Sequence, residues 1–460
     1  MTSARYRPCS GTRRHWRCPF FRVGTILILM VLLWTAIPFA ASAEDPPPDG
    51  EVGAVMLINL ENNLTLYEKS ADAPLYPASS VKIMTGLLAC LSLSDRVDEQ
   101  VTISSAMLAG VEGRRMSPPL ADGEVLTVRD LLYAAICGGY NDAAQAVACL
   151  TAGSVADFVE GMNTEAGRLN LAHTHYTNCT GLHDPAMSTS VRDVAVISRE
   201  AYKNQLYMEI SSARTYTIPA TNVEGERTFT NRNALISDSS LNYFNGYCRG
   251  MNAGMTDEGG WCVVTVCERG GAANLCVVMG GQDVGSGELI PAYVYTNRLL
   301  AWANRTYGYR TVLEAGQVLD TLPVGMTGVS KSKTDVVPVE DLRVYLPADA
   351  DLTRGMDYTL DLRDGELTAP LTVGQLVGTV TVTYEGRVVG KAELTVTESF
   401  ARNGFLNGLM SFRAYLTSRP CLISVILFLL MLLVYLRMTT GPGGRYGIKR
   451  RRVQYVKRRL

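Results

Sequence analysis

The chain has 460 residues, of which 47% are hydrophobic and 19% charged, so it can bury a large core and does not have the composition of a disordered protein. At roughly 150 residues per domain, this length predicts two or three folded units. The net charge of −1 hides an uneven distribution: six arginines precede position 23, nine basic residues follow position 436, and the segment between carries 28 basic and 44 acidic residues. An acidic body argues against nucleic acid as a partner.

The N-terminal segment has the pattern of a secretory signal peptide, predicted over residues 1–43. Its basic stretch is followed by an uncharged run from Val23, which closes with the small-x-small pattern Ala41–Ala43. An uncleaved anchor is the alternative, because an uncharged run of this length can span a bilayer. The proline-rich residues 44–50 are predicted to be a linker.

The body of the chain is predicted to contain two domains. Strand patterns on either side of a helical block indicate an α/β (α+β) domain over residues 51–308. Short alternating runs separated by Gly, Asp and Pro predict a small all-β sandwich over residues 311–398. In chain order the first domain is expected to have a hairpin at 52–66, helices at 79–91, 126–150 (interrupted at 138–141), 155–169 and 191–202, strands at 262–267 and 275–279, and a helix at 292–303.

The C-terminal part of the chain is predicted to hold it in a membrane. A juxtamembrane segment, 399–419, leads to a transmembrane helix at 420–436, which has no charged residue. A buried core helix is the alternative, but the purely basic tail at 437–460 favours the membrane. Because basic segments stay on the cytoplasmic side, the tail is expected inside and the acidic body outside.

Eight cysteines lie in the predicted exported part, and an even number in an oxidising compartment permits disulfides. Most of them lie in apolar runs, however, which favours small buried hydrophobic side chains. No C-x-x-C pair occurs, and the exported part has only three histidines, so no metal site is predicted.

The motif Ser79-Ser80-Val81-Lys82 is the strongest candidate for chemistry. At the start of a helix, residues i and i+3 share a face, so Lys82 can reach the Ser79 hydroxyl. A lysine kept neutral by burial can take the proton of a serine and so turn it into a nucleophile. The free N–H groups at the start of the helix can stabilise an oxyanion.

Four further segments, with this motif, resemble the low-molecular-mass penicillin-binding proteins, the serine D-alanyl-D-alanine carboxypeptidases. The matching segments, in order, are Tyr76–Thr85, Leu131–Ala134 with Asn141–Ala144, Gly181–Asp184, Gly254–Cys262, and Leu367–Leu371 with Gly374 and Gly378. The resemblance covers about residues 50–436. It implies a penicillin-binding/β-lactamase-like serine hydrolase fold with a C-terminal β-domain.

The resemblance also implies a function and its partners. The expected reaction is removal of the terminal D-alanine from peptidoglycan pentapeptides through a serine acyl-enzyme. β-Lactams are expected as inhibitors, and no cofactor is expected. The protein is then a single-pass protein of the cell membrane whose ectodomain faces the cell wall.

The site residues follow from the same resemblance. Ser79 is expected to be the nucleophile, Lys82 its general base, and Asn141 a group that orients Lys82 or the substrate amide. The oxyanion hole is expected from the Ser79 N–H and one N–H of 254–256. The predicted substrate-binding residues are Gly139, Asn252, Ala253, Gly254 and Thr256.

Two motifs depart from the family pattern. Gly139-Tyr140-Asn141 stands where the family has S-x-N, and Asn252-Ala253-Gly254 stands where it has K-T-G. Arg249 is not expected to replace the missing lysine unless the strand bulges, because side chains alternate along a strand and 249 points away from 252. The alternatives are therefore a weak or inactive protein that binds peptidoglycan or a partner without turnover, and, third, a β-lactamase-like hydrolase.

Overall fold

The computed structural model describes residues 47–237, 242–282, 290–327 and 332–440. The predicted signal peptide, 1–43, lies outside the described residues, as does the basic tail after 440.

A five-stranded antiparallel sheet forms the centre of the first domain, in the order β2-β1-β9-β8-β7. The predicted hairpin is its β1–β2 pair, and all six residues of β1 are buried. Alternate side chains of β1 enter two different hydrophobic clusters, one on each face, because helices cover both sides of the sheet. The strands are β1 (Ala54–Asn59), β2 (Thr65–Lys69), β7 (Cys248–Thr256), β8 (Gly260–Arg269) and β9 (Ala272–Gly281).

Helices cover the two faces of this sheet. The helices between Val81 and Ser212 pack on one face, whereas the short helix Ala234–Ser237 and the helix after β9 contribute to the apolar cluster on the other. Three of them begin at a Ser or Thr N-cap whose side chain accepts a hydrogen bond from the N–H of an Asp three residues later. The helices are α1 (Val81–Leu93), α2 (Val128–Ile136), α3 (Asn141–Ala152), α4 (Val155–Arg168), α5 (Val191–Lys203), α6 (Gln205–Ser212), α7 (Ala234–Ser237) and α8 (Pro291–Thr306).

Two short ribbons, absent from the sequence prediction, complete this domain. A buried ion pair between Arg227 and Glu124 ties one ribbon to the other. Strands of three or four residues are too short for an alternating pattern to be recognised. The ribbons are β3 (Gln100–Thr102) with β4 (Val125–Thr127) and β5 (Thr215–Ile218) with β6 (Arg227–Thr230).

The C-terminal domain is all-β, as the sequence predicts. It has a six-stranded sheet in the order β14-β16-β17-β12-β11-β15 and a ribbon of β10 with β13. Its apolar side chains and those beneath α8 form one cluster. β10 follows α8 directly and therefore begins before residue 311, the predicted start of this domain. The strands are β10 (Tyr307–Leu313), β11 (Asp320–Gly325), β12 (Lys333–Pro338), β13 (Leu342–Pro347), β14 (Met356–Leu362), β15 (Leu367–Thr368), β16 (Leu376–Tyr384) and β17 (Arg387–Val396).

Two helices follow this domain. The first, α9 (Gly404–Thr417), occupies most of the predicted juxtamembrane segment. The second, α10 (Arg419–Thr440), contains the predicted span 420–436. Its residues 419–439 have a mean hydropathy of 2.6, and among the described helices it alone is long and apolar enough to cross a membrane.

All nine cysteines in the described ranges are free, and eight of them are buried. This agrees with the expectation that most of them serve as small buried hydrophobic side chains.

Candidate active site

A sharp turn carries Ser79. The residue lies in a single 3-10 turn, Ala78–Ser80, directly before α1. The Ser80 N–H and hydroxyl both donate to the Pro77 carbonyl oxygen, at 3.1 and 2.7 Å. Ala78 has a φ of +48°, a left-handed conformation that an L-residue adopts only at a cost. The bend leaves the Ser79 side chain partly exposed at a cavity.

Lys82 lies one turn further on and is buried. It is 3% exposed, and its Nζ donates to the Thr180 carbonyl oxygen at 2.6 Å. The pKa of Lys82 is lowered from 10.5 to about 8, chiefly by burial; the positive charges of Arg114 and Arg232 also lower it, against the opposing effects of Cys179 and Cys262. Lys82 and Ser79 line the same cavity, and no hydrogen bond joins Nζ to the Ser79 hydroxyl among the described contacts. A pKa of about 8 leaves part of the amine neutral near pH 7.

The loop that holds Lys82 is itself fixed against the turn that carries Ser79. Asn178 Oδ1 accepts hydrogen bonds from the N–H groups of Thr180 and Gly181. Gly181 has a φ of +82°, and a Cβ there would lie closer than 3.0 Å to the Ala78 carbonyl oxygen. Only glycine allows the backbone at 181 to lie this close to Ala78, and this close packing brings the Thr180 carbonyl to Lys82.

Strand β7 forms the opposite wall. A Cβ on Gly254 would lie closer than 3.0 Å to the Ser79 hydroxyl, so the backbone of β7 abuts Ser79. Cross-strand pairing places Asn252 and Gly254 on the face of the sheet that α1–α6 cover. Ala253 lies on the other face, in the apolar cluster beneath α8. In the described residues β7 is an edge strand, with no further strand paired to its outer side.

Asn141, the first residue of α3, fixes a loop at the edge of the cavity. Its Nδ2 donates to the Glu112 carbonyl oxygen at 2.9 Å, and its backbone N–H donates to that of Arg114 at 2.7 Å. The next residue, Asp142, accepts hydrogen bonds from the N–H groups of Met116 and Leu120. The start of α3 therefore fixes the loop over residues 112–120.

These elements enclose a cavity of about 330 Å³ that is lined by Ser79 and Lys82. Of the predicted site residues, Ser79, Lys82, Gly139, Asn141 and Thr256 line it. Gly254 contacts Ser79 from β7. The lining residues are Ser79, Lys82, Gly113, Arg114, Gly139, Asn141, Thr180, Gly181, Leu182, His183, Arg232, Met255, Thr256, Asp257 and Glu258.

Asn252 and Ala253 do not line this cavity. Asn252 is 4% exposed, and its Oδ1 has no hydrogen-bond partner among the described residues. Arg249 is exposed, 3.7 Å from Glu268, and does not reach the cavity although the register shifts between it and Asn252. None of the three therefore supplies a cation where the family motif has lysine.

Two arginines of the cavity were not singled out from the sequence. Arg114 enters from the loop held by Asn141, and Arg232 from the segment before α7. The sequence gives little indication of either residue. Arg114 and Arg115 form the one adjacent pair of basic residues between positions 23 and 436, and Arg232 has no basic neighbour.

Comparison with known proteins decides the family. A family profile described as D-alanyl-D-alanine carboxypeptidase matches residues 40–283, more than half of the chain. The chain belongs to this family. A second profile, the C-terminal domain of penicillin-binding protein 5, matches residues 307–402.

Relatives of this carboxypeptidase family match along most of the chain. The carboxypeptidase DacC of Escherichia coli is 28% identical over 83% of this chain and 92% of its own length. DacF of Bacillus subtilis is 24% identical over 84% and 96%. Penicillin-binding protein 5 of Haemophilus influenzae superposes with a TM-score of 0.56 at 25% identity, covering 78% of this chain and 99% of its own. A peptidoglycan synthesis regulatory factor, PBP3 of Streptococcus pneumoniae, has the same fold, with a TM-score of 0.62 at 20% identity over 77% of this chain and all of its own.

The predicted fold is therefore confirmed: this is a serine D-Ala-D-Ala carboxypeptidase fold with a C-terminal β-sheet domain. The backbone at Gly139 bears on whether a serine could stand there. Gly139 has a φ of +70°, and a Cβ there would lie 3.4 Å from Cγ of Arg232. A serine at this position would be strained.

The acylation rate of this carboxypeptidase-family site is expected to rise with pH up to about 8. Only the neutral form of Lys82 can take a proton, and a pKa of about 8 leaves roughly a tenth of the amine neutral at pH 7. An unshifted lysine would have about 0.03% neutral at that pH. The rate of labelling by a fluorescent penicillin, measured from pH 6 to 10, should increase about tenfold per unit below the pKa and level off above it. A flat profile would contradict a lysine base.

Proposed function

We propose that the protein is an active, membrane-anchored serine D-Ala-D-Ala carboxypeptidase with Ser79 as nucleophile and Lys82 as general base. One observation carries the proposal: a partly exposed serine and a buried lysine with a pKa of about 8 line the same small cavity. Lys82 is buried with no carboxylate in ion-pair contact among the residues that the structure describes, and such burial costs stability that a purely structural role would not require.

The chemistry proceeds in two steps. Lys82 Nζ takes the proton of Ser79 as the hydroxyl oxygen attacks the carbonyl carbon before the terminal D-alanine. The C–N bond breaks, the proton passes to the departing amine, and an ester on Ser79 remains. Water, deprotonated by the same lysine, then hydrolyses the ester. The oxyanion of each step is bound by the Ser79 N–H and one from 254–256 of β7.

The substrate is a peptidoglycan stem peptide at the outer face of the cell membrane. The acidic body lies outside, α10 spans the bilayer, and the basic tail lies inside. The open edge of β7 binds the peptide as an added strand, next to the nucleophile. β-Lactams acylate Ser79 because their ring carbonyl presents the same carbon to the hydroxyl.

Binding without turnover is the second candidate. It is favoured by Gly139, Asn252 and Ala253, which lack the hydroxyl and amine groups of the two family motifs. Losing one preorganised polar group typically costs about 10²–10³ in rate, and such losses do not simply add. If the Ser79→Ala variant restores the wild-type phenotype to a deletion strain, binding without turnover is the function.

The direct test labels intact cells that produce the full chain with a charged, membrane-impermeant fluorescent penicillin. We expect a covalent label that mass spectrometry places on Ser79. The Ser79→Ala variant should not be labelled, because it lacks the attacking oxygen.

Ser80→Ala is the matched control, since this hydroxyl bonds Pro77 rather than facing the cavity. It should still be labelled. Labelling that appears only after lysis would contradict the outward orientation, and none at high drug concentration would contradict catalysis.

A further inference from the structure

Two cysteines lie directly opposite each other on neighbouring strands of the central sheet. Cys248 begins β7, Cys267 lies near the end of β8, and the two residues are cross-strand partners. Both are buried in the apolar cluster beneath α8, at 2% and 1% exposure. Neither takes part in the proposed chemistry at Ser79, and so their close approach needs an explanation of its own.

The backbone hydrogen bonds show which kind of pair the two cysteines form. The Glu268 N–H donates to the Tyr247 carbonyl oxygen at 2.9 Å, whereas the Cys248 N–H turns away to the Asn245 carbonyl oxygen, also at 2.9 Å. Because hydrogen-bonded and non-hydrogen-bonded pairs alternate along an antiparallel ladder, Cys248 and Cys267 are a non-hydrogen-bonded pair, with Cα atoms about 4.5 Å apart. That separation is within the range of about 4.4–6.8 Å that a disulfide spans.

The two thiols are also in contact. The Cys248 thiol donates a hydrogen bond to the Cys267 sulfur, which accepts a second one from the Asn304 amide at 3.9 Å. These bonds lower the pKa of Cys267 against the opposing effect of burial, whereas the contact with Cys267 and burial both raise the pKa of Cys248. Cys267 is therefore the thiol that loses its proton first and acts as the nucleophile of the pair.

A cavity leads from the surface towards this pair. Its volume is about 420 Å³, and it lies between the turn after β8, α8, β10 and β13. Asn304 lines the cavity and bonds Cys267 from its wall, and Arg269 at its edge adds a positive charge that favours the Cys267 thiolate. A reactant in this cavity is thus one side chain away from the nucleophilic thiol.

We infer that Cys248 and Cys267 form a disulfide in the exported chain, which ties the first residue of β7 to β8. The inference goes beyond the proposed function and shares with it only the outward orientation of the body, since disulfides persist in oxidising compartments. Eight exported cysteines permit several pairings, and this register joins two of them without any movement of the backbone.

The oxidant is an organic disulfide, and the exchange has two steps. The Cys267 thiolate attacks one sulfur of that disulfide, forms a mixed disulfide and releases the first thiolate. The Cys248 sulfur then attacks the Cys267 sulfur and releases the second. The protons of the two cysteines pass to the two departing thiolates, so two protein thiols and one organic disulfide give one protein disulfide and two small thiols.

The bond acts on the strand that forms a wall of the active site. In the described residues β7 pairs with β8 alone, and the register between them shifts between Arg249 and Asn252. A disulfide at Cys248 fixes the strand just before this irregularity, and Gly254 follows after it. Because a disulfide acts mainly by restricting the unfolded chain, we expect an effect on stability and none on the rate of labelling at Ser79.

The first test traps the thiols in intact cells that produce the full chain. Acid quenching and N-ethylmaleimide block every free thiol before a non-reducing digest is analysed by mass spectrometry. We expect Cys248 linked to Cys267, with fragmentation distinguishing Cys267 from Cys262 in the same peptide. Cys276 is the internal control, since it lies opposite Thr265 on β8 and should carry N-ethylmaleimide.

The second test measures the melting temperature of the purified full chain in detergent. Reduction, verified by alkylation of a denatured sample, should lower it by at least about 3 °C. Cys248→Ala and Cys267→Ala should each abolish this shift, because either change leaves one thiol without its partner. Cys276→Ala is the matched control: it removes a thiol from the same apolar cluster and should retain the shift on reduction.

Two results would overturn the inference. They are N-ethylmaleimide on both Cys248 and Cys267 in the trapped chain, and a shift on reduction that persists in both alanine variants. Penicillin labelling of the same cells separates this inference from the proposed function. A linked pair without labelling of Ser79 supports the disulfide and contradicts catalysis, whereas labelling with both thiols free does the reverse.

Discussion

Replacing Lys82 by methionine is expected to slow acylation of Ser79 by about 10²–10⁴, the range that a positioned general base contributes. Methionine has a similar length and fills the buried space, so the fold should be retained. The rate that remains should no longer change with pH near 8, because the titrating amine is gone. The measurement is the rate of penicillin labelling by stopped-flow fluorescence, from pH 6 to 10.

Lys82→Arg separates a base from a charge. Arginine keeps the positive charge and can still donate to the Thr180 carbonyl, but it does not lose its proton in proteins. If Lys82 is the base, the labelling rate of Lys82→Arg should be as low as that of Lys82→Met. Retention of more than about a tenth of the rate in Lys82→Arg would show that the charge alone matters.

Lys203→Met is the control for removing a lysine. Its side chain is 62% exposed and pairs with Glu200 on the surface of α5. Such surface pairs contribute little to stability, so neither the melting temperature nor the labelling rate should change appreciably.

The long elements were predictable from the sequence because their patterns are local. The run from 191 to 202 has apolar residues at helical spacing behind a Ser N-cap, and it folds as α5. By contrast, β10 begins one residue after α8 ends, and a predicted boundary at 308–311 cuts through it. The apolar cluster beneath α8 includes residues of the C-terminal sheet, so no drop in hydrophobicity marks the end of the first domain.

The site was predictable only where a motif is contiguous. Ser79 and Lys82 are three residues apart, and their position at the start of α1 follows from helix geometry. The partner of Lys82, the Thr180 carbonyl, is 98 residues away, and a backbone atom carries no residue signature. Arg114 and Arg232 could not be predicted for a related reason. A single charged residue in a loop usually lies on the surface, and the sequence around it does not show that it lines a cavity.

Asn141 illustrates a residue whose position can be predicted better than its contacts. The motif placed it beside Lys82, and it does line that cavity. Its Nδ2 nevertheless donates to Glu112, and so its amide fixes the loop that carries Arg114. A direct effect on Lys82 or on the substrate remains a prediction, whereas its role in holding the loop follows from the contacts.

Replacing Gly254 by alanine is expected to lower acylation of Ser79 by at least about 10², without any change to the nucleophile or the base. The added Cβ would lie closer than 3.0 Å to the Ser79 hydroxyl, so either the side chain or β7 must move. A shift of about 1 Å in a reacting group costs roughly 10² in rate, and moving β7 also displaces the oxyanion donors proposed there. The measurement is the second-order rate constant of penicillin labelling.

Gly161→Ala is the matched control, since a Cβ there meets nothing within 4 Å on α4. It should leave the labelling rate unchanged and raise the free energy of unfolding by up to about 1 kcal/mol, because alanine favours the helix.

A double-mutant cycle then tests whether Gly254→Ala acts through contact with the Ser79 side chain. Gly254→Ala should destabilise the chain when Ser79 is present and much less when Ser79→Gly has removed the side chain it meets. Equal destabilisation in both backgrounds, or labelling of Gly254→Ala at the unmutated rate, would mean that β7 does not abut the nucleophile.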